Sequence, residues 1–425
     1  MQEMEESNQS WTPLPAVYKN REVTMKQSVK YTRPLSFNER FFLVFDEMCP
    51  PVANQLIFEG SGVLDKKRWE QAVKTASEAN PGSRVVLKGR LGRSRWIDTG
   101  KTPTIREADG SSWDAMGPDN APFLKTILPY REGPSCEILL IHGNPLRVAF
   151  RTHHAVMDGR GTMTWAEDIF RVLRGEEPIG STSILTDTEL AREIQKETRK
   201  PYPVEHIAPT GSAQGSEEGM TWKRKRLTGT YPNALGQIAV LTAKEAWRHR
   251  EGVVRFSIPV DMRQHQKGLR STGNLSFAIY IEVRPETTPE QVAAEVEQQV
   301  RERREGMLTP GDDLYRHIPI KLMAEKTKKI IARRHENNLY SMSGVLTNMG
   351  RIPLQYFSGG GFNTDGLFGI PPTIEYFPFF LGLGGYGNIF EMILTVPKVL
   401  ATNGRLEDTF NRISANFRPA EKPPQ

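Results

Sequence analysis

Residues 146–173 constrain this chain more than any other stretch. Leu146, Arg147, Val148, Ala149 and Phe150 read as a β-strand, and from Gly161 onward the run from Thr164 to Leu173 reads as a helix. Between them, Arg151-Thr152-His153-His154-Ala155-Val156-Met157-Asp158-Gly159 packs two imidazoles and a carboxylate into six residues. The histidines are therefore predicted on a strand-to-helix turn. Such a turn holds side chains at the end of a sheet, facing a cleft, where an acid-base group can work.

Elsewhere helix and strand patterns alternate. A helix is predicted to follow Ser36, its N-cap, with Glu39 completing a capping box and Phe41, Phe42, Val44, Phe45 and Met48 as its buried set before Pro50-Pro51. A strand over 54–60, a helix over 65–79 and strands over 84–88, 93–98, 137–142 and 146–152 lead to the histidines. Residues 200–220, rich in Pro, Gly and Ser, read as a linker. Beyond it come strands over 221–228, 253–259 and 276–283 and helices over 233–250, 289–304 and 312–337. Gly359-Gly360-Gly361 and the glycines of 382–387 read as mobile loops or tight turns, and the basic runs 223–226 and 326–334 as solvated faces.

Bulk properties exclude several classes of function. A length of 425 residues suits two domains, and a net charge of +6, spread widely, does not mark a nucleic-acid binder. The mild positive balance favours an anionic partner. Cys49 and Cys136 are the only cysteines, so no disulfide framework is expected, in keeping with a reducing, cytoplasmic setting. The apolar stretch 376–396 is interrupted by Pro378, glycines and Glu391, so no membrane span is expected. Adjacent histidines on a strand point to opposite faces and no clear fourth ligand accompanies His153, His154 and Asp158, so no metal is expected. Gly159-Arg160-Gly161-Thr162 lacks the lysine and spacing of a phosphate loop and reads as turn chemistry.

The run from His153 to Gly159 is a complete HHxxxDG motif, and through it the chain resembles the CoA-dependent acyltransferase superfamily. That superfamily includes chloramphenicol acetyltransferase, plant and fungal acyl-CoA acyltransferases, polyketide-associated acyltransferases and the condensation domains of nonribosomal peptide synthetases. Ile258-Pro259-Val260-Asp261-Met262-Arg263, followed by Thr272-Gly273-Asn274-Leu275, resembles its second signature, P-V-D/N-x-R before a G-N pair. The segment Ser341-Met342-Ser343-Gly344-Val345-Leu346-Thr347-Asn348-Met349-Gly350-Arg351 resembles the S-x-x-x-S/T-N-x-G strand of the alcohol acetyltransferase and condensation branches. The plant branch's D-F-G-W-G motif has no match, which points to the condensation and polyketide-associated branches.

The resemblance implies an α/β fold of two chloramphenicol acetyltransferase-like lobes, each a mixed sheet with helices, with an active-site tunnel between them. On that basis residues 1–18 are a flexible arm, 19–200 the N-terminal lobe, 201–220 the linker and 221–425 the C-terminal lobe. It implies acyl transfer from acyl-CoA, or from a phosphopantetheine thioester on an acyl or peptidyl carrier protein, to a small amine or alcohol in secondary metabolism. No permanently bound cofactor and no nucleic acid would take part, and the protein would be a monomer. His154 would be the general base and His153 the less critical histidine. Asp158 would pair with Arg263 to fix the turn, and Gly159 would allow close backbone approach. Ser343, Asn348 and Asn274 are candidate oxyanion or substrate contacts. The alternative is a non-catalytic module that recruits carrier-linked partners; such modules usually lose the second histidine.

Overall fold

The computed structural model describes residues 30–420, and the arm expected over 1–18 lies outside them. The chain opens with β1 (Thr32–Pro34) and α1 (Phe37–Asp46). Ser36 caps α1: its Oγ accepts from the Glu39 N–H at 3.2 Å, and Glu39 Oε2 accepts from the Ser36 N–H at 3.0 Å. Next come β2 (Ala53–Gly62), α2 (Lys66–Ala79), β3 (Val85–Lys88), β4 (Arg95–Asp98), β5 (Thr104–Asp109), β6 (Cys136–His142) and β7 (Leu146–His153). The helices α3 (Gly159–Leu173) and α4 (Asp187–Ile194) complete the first half.

The second half runs through β8 (Met220–Thr228), α5 (Ala234–His249), β9 (Val254–Asp261), β10 (Ser276–Val283), α6 (Pro289–Arg301) and α7 (Ile320–Asn337). It closes with β11 (Gly344–Arg351), β12 (Phe362–Ile370), β13 (Phe380–Tyr386), β14 (Ile389–Pro397), α8 (Lys398–Ala401) and α9 (Arg405–Asn416). Two mixed sheets, each the centre of one lobe, organise these elements, and β1, β4 and β3 form a third, small antiparallel sheet.

In the first sheet β2, β7, β6 and β5 lie side by side, with Ala53 of β2 opposite His153 of β7. Helices α2 and α3 pack together over it, and Phe58, Trp69, Phe150, Trp165 and Phe170 fill the space between. Truncating one of these rings to alanine should cost about 3–5 kcal/mol. The second sheet has the order β10-β9-β11-β13-β14-β8, with residues of α5, α6 and α9 in its core.

A division at 201–220 assigns β12 to the second lobe, yet β12 crosses over and pairs antiparallel with β2, Leu367 opposite Phe58. Without it β2 would present a row of unpaired N–H and C=O groups. Helix α7 crosses too, placing Ile320, Met323 and Ala324 in the first-lobe core. The stretch 201–220 forms no helix, but residues 206–211 are buried and His206 exchanges two main-chain hydrogen bonds with Tyr340. The lobes are thus laced together by chain segments and by side chains.

The run 223–226 is only in part a solvated face, because its side chains alternate along β8 and Arg226 is exposed. Arg224 lies buried between Glu59 of β2 and Glu391 of β14, its Nη2 at 2.8 Å and 2.7 Å from them. Burial pushes the Glu59 carboxyl up, but Arg224 and Arg147 outweigh it and hold it at about 2. Two further expectations need correction. The helix expected over 312–337 is broken: a short 3-10 turn over Asp312–His317 precedes α7, and Pro319, which cannot donate within a helix, sits at the break. The glycines of 382–387 belong largely to β13, inside the second sheet; the Pro371 ring lies 3.2 Å from where a Gly382 side chain would begin.

Candidate active site

Strand β7 ends on His153 and α3 begins at Gly159, so both histidines lie at the turn between them. The turn is tied down on several sides. The His153 N–H donates to Ser135 O at 2.9 Å and the His154 N–H to Val52 O at 3.0 Å. Asn54 Nδ2 donates to Met157 O at 2.6 Å, and Arg33 Nη2 to Val156 O at 3.0 Å. From the second lobe, Asn274 Nδ2 donates to His154 O at 2.8 Å.

The two imidazoles occupy different surroundings. His153 is buried; its Nδ1 accepts from the Ala155 N–H at 3.1 Å, which places the ring proton on Nε2, 3.4 Å from Asp46 Oδ2. Asp46 is itself held by the Val52 N–H at 2.8 Å. This histidine is locked in place. His154 is partly exposed, and its ring lies parallel to that of Phe42, centroids 3.8 Å apart and planes 9° apart. Its Nδ1 is buried with no hydrogen-bond partner among the described residues. Burial pushes the imidazole down to about 4, although the ring's own carbonyl and Asp158 favour its protonated form. The ring is therefore neutral at pH 7.

Asp158 caps α3, accepting from the Gly161 N–H at 2.7 Å. The same carboxylate accepts from Arg263 Nη1 at 3.1 Å and Nη2 at 3.0 Å, from the Leu275 N–H at 2.8 Å and from Ser276 Oγ at 2.9 Å. Burial alone would push its carboxyl up, but Arg263 and these N–H donors outweigh it and hold it below the usual range. Arg263 donates in addition to Ser271 O at 3.0 Å, Gly273 O at 2.6 Å and Asp261 Oδ1 at 2.7 Å. Both charges are satisfied from several directions, the condition under which a buried pair is tolerated.

The close approach expected at Gly159 occurs at Gly161 instead. A side chain at Gly161 would begin 2.3 Å from Thr272 O, whereas at Gly159 nothing lies within 4 Å. The missing side chain at Gly161 lets α3 meet the Thr272-Gly273 turn of the other lobe. Ser343 is also displaced from the expected site. Its Oγ accepts from the Arg255 N–H at 3.3 Å, at the start of β9, while Arg263 lies past the end of that strand. Six residues of strand separate Arg255 from Asp261, roughly 20 Å. Asn348 turns its side-chain oxygen to the Gly350 N–H at 2.9 Å, bracing the irregularity in β11.

Phe42, Asp46, Ser276 and Gly161 are site residues that the sequence reading did not single out. Two carried a signal. An acid in the last turn of α1 opposes the helix dipole and so implies a partner elsewhere, and a glycine at the third position of α3 implies backbone contact. Phe42 gave none, since an apolar residue on an apolar helix reads as core. Among the described residues no group of His, Cys, Asp and Glu could hold a metal ion, and no helix is long and apolar enough to cross a membrane.

The architecture has solved counterparts. The starter condensation domain of rhizomide synthetase RzmA, in a single-site mutant form in complex with C8-CoA, superposes with a TM-score of 0.61 at 13% identity, over 90% of this chain and 93% of that one. The condensation domain of the Monacolin K polyketide synthase MokA gives 0.56 at 11% identity, over 92% of this chain and 98% of its own. The epimerization domain from the third module of tyrocidine synthetase B gives 0.53 at 13%, over 93% and 97%. No protein-family model matches the sequence, and no curated protein matches it. The chain has the two-lobed fold of these condensation and epimerization domains.

Proposed function

We propose that this chain transfers an acyl group from a thioester to an amine or an alcohol, with His154 as general base. The observation that carries this reading is the His154 ring itself: neutral, partly exposed, and stacked on Phe42 at the junction of the lobes. A neutral imidazole takes the acceptor's proton as its nitrogen or oxygen attacks the thioester carbon. The new C–N or C–O bond forms, the C–S bond breaks, and the proton passes to the leaving thiolate. General-base assistance of this kind is worth about 10²–10⁴ in rate. The thioester is already activated, so these steps call on no metal or permanently bound cofactor.

The other residues position the base. Asp158 is fully engaged with Arg263, Leu275, Ser276 and Gly161, so it fixes the turn rather than relaying a proton. Asn274 holds the His154 carbonyl from the opposite lobe. Charge developing on the thioester oxygen would be met by the first N–H groups of α3, beside the open space at Gly159. The donor is acyl-CoA or a carrier-bound phosphopantetheine thioester, and donor and acceptor reach His154 from opposite mouths of a channel between the lobes. A starter condensation domain of this fold was solved with C8-CoA and Leu-SNAC, which supports a thioester donor here.

The test is intact-mass detection of transfer from a panel of acyl-CoA and acyl-carrier donors to mixed amine and alcohol acceptors. The expected result is an acylated acceptor with one free thiol released per product. Binding of donor or carrier without turnover across the panel would instead support the recruitment module.

A further inference from the structure

Helix α7 carries a surface that the proposed chemistry does not use. Its inner side, Ile320, Met323, Ala324 and Ile331, is buried. Turned away from it, Leu322, Lys326, Lys329, Ile330 and Arg333 share one exposed flank, within an arc of about 100° at the helical repeat. Leu322 is 43% exposed and Ile330 46%, and just upstream Leu314 is 68% and Tyr315 39% exposed. Lys321 and Lys328 stand on the other flank of α7. None of these lysines, nor Arg333, makes an ion pair with a described residue. Arg334 is different, since it donates to the Tyr376 hydroxyl at 3.2 Å. Glu325 and Glu336 border this flank, but the cations outnumber them and alternate with open aliphatic tips, which is more than an ordinary solvated face.

We infer that this flank of α7 docks on an anionic lipid surface. Leu322 and Ile330 would enter the headgroup layer while the lysines lay their stems along it and set their ammonium groups among lipid phosphates and carboxylates. The composition favours lipid over protein. Lysine is depleted at protein interfaces, and its hydrated, flexibly tethered charge suits a diffuse layer of anions better than a fixed carboxylate. Helix α7 packs on α1, and Phe42 of α1 lies on His154, so the docked face is one helix away from the proposed base. The inference stands on α7 alone and does not depend on acyl transfer.

Co-sedimentation of the full chain tests it, using vesicles of phosphatidylcholine alone and of phosphatidylcholine mixed with phosphatidylserine. The protein should pellet with the anionic vesicles only. Lys326→Glu/Lys329→Glu/Arg333→Glu and, separately, Leu322→Asn/Ile330→Asn should each weaken binding roughly tenfold or more with unchanged circular dichroism. Failure to pellet with anionic vesicles, or equal pelleting with both kinds, overturns the inference. So does binding that the charge reversal abolishes and the Asn pair leaves untouched, which would mark the flank as a purely electrostatic contact for an acidic macromolecule.

Discussion

Arg263 of the second lobe grips Asp158 at two points, Nη1 to Oδ2 at 3.1 Å and Nη2 to Oδ1 at 3.0 Å, while Asp158 caps the helix that follows the histidines. One ion pair thus fixes both the turn and the lobe junction. Asp158→Asn would leave a buried guanidinium short of its charge partner and should destabilise the fold by about 3–5 kcal/mol in urea unfolding. The pH sign follows from the lowered carboxyl. Its stabilising contribution is complete above the unfolded value near 4 and is lost as pH falls through the folded value, so the variant should show a shallower acid limb. A variant within about 1 kcal/mol of wild type would contradict the assignment.

The two glycines of α3 should respond in opposite ways. Gly161→Ala would drive a methyl against Thr272 O, 2.3 Å away, whereas Gly159→Ala would enter open space. Side-by-side thermal melts should show a loss of roughly 1–3 kcal/mol for the first and little change for the second. Equal losses would mean that α3 does not press on the Thr272-Gly273 turn as described.

The Phe42 ring keeps water from one face of His154 and helps hold its imidazole at about 4. A depressed histidine stabilises the fold fully above the unfolded value near 6.5, and that contribution fades as pH falls from there toward the folded value. With His154 in the proposed role, the rate of acyl transfer should therefore hold down to about pH 5 before falling. Phe42→Ala should wet the ring and raise its NMR titration midpoint toward the unperturbed value. An unchanged midpoint would remove Phe42 from the account.

The burial of Arg224 between Glu59 and Glu391 makes it a second ionic tie between the lobes, beside Arg263 and Asp158. Arg226 reaches the same two carboxylates but is 45% exposed, and it cannot replace a buried partner. Arg224→Met should cost about 3–5 kcal/mol in thermal or urea unfolding and let the Glu59 carboxyl rise from about 2. A neutral effect would show that Arg224 does not help hold the lobes together.

Much of this site is visible in the chain because local rules and global fold agree there. The strand, the turn and the helix around His154 follow from apolar spacing, and the capping box at Ser36 follows from residue type. Arg263 could be matched with Asp158 only through motif resemblance, since 105 residues separate them and spacing carries no information about such contacts. What the chain concealed was tertiary. The crossing of β12 answers the open edge of β2, an edge that no local pattern reveals. The glycines of β13 are strand residues because neighbours crowd them, against their own propensity. Ser343 matched a motif letter while its hydroxyl was already committed to Arg255.

The most direct measurement is the single-turnover rate of acyl transfer for wild type and His154→Ala, with the productive donor and acceptor and with thermal melts run in parallel. Loss of about 10²–10⁴ in rate is expected, with the melting temperature unchanged or raised, because a buried ring nitrogen without a partner is removed. Equal rates in a folded variant would show that His154 is not the base.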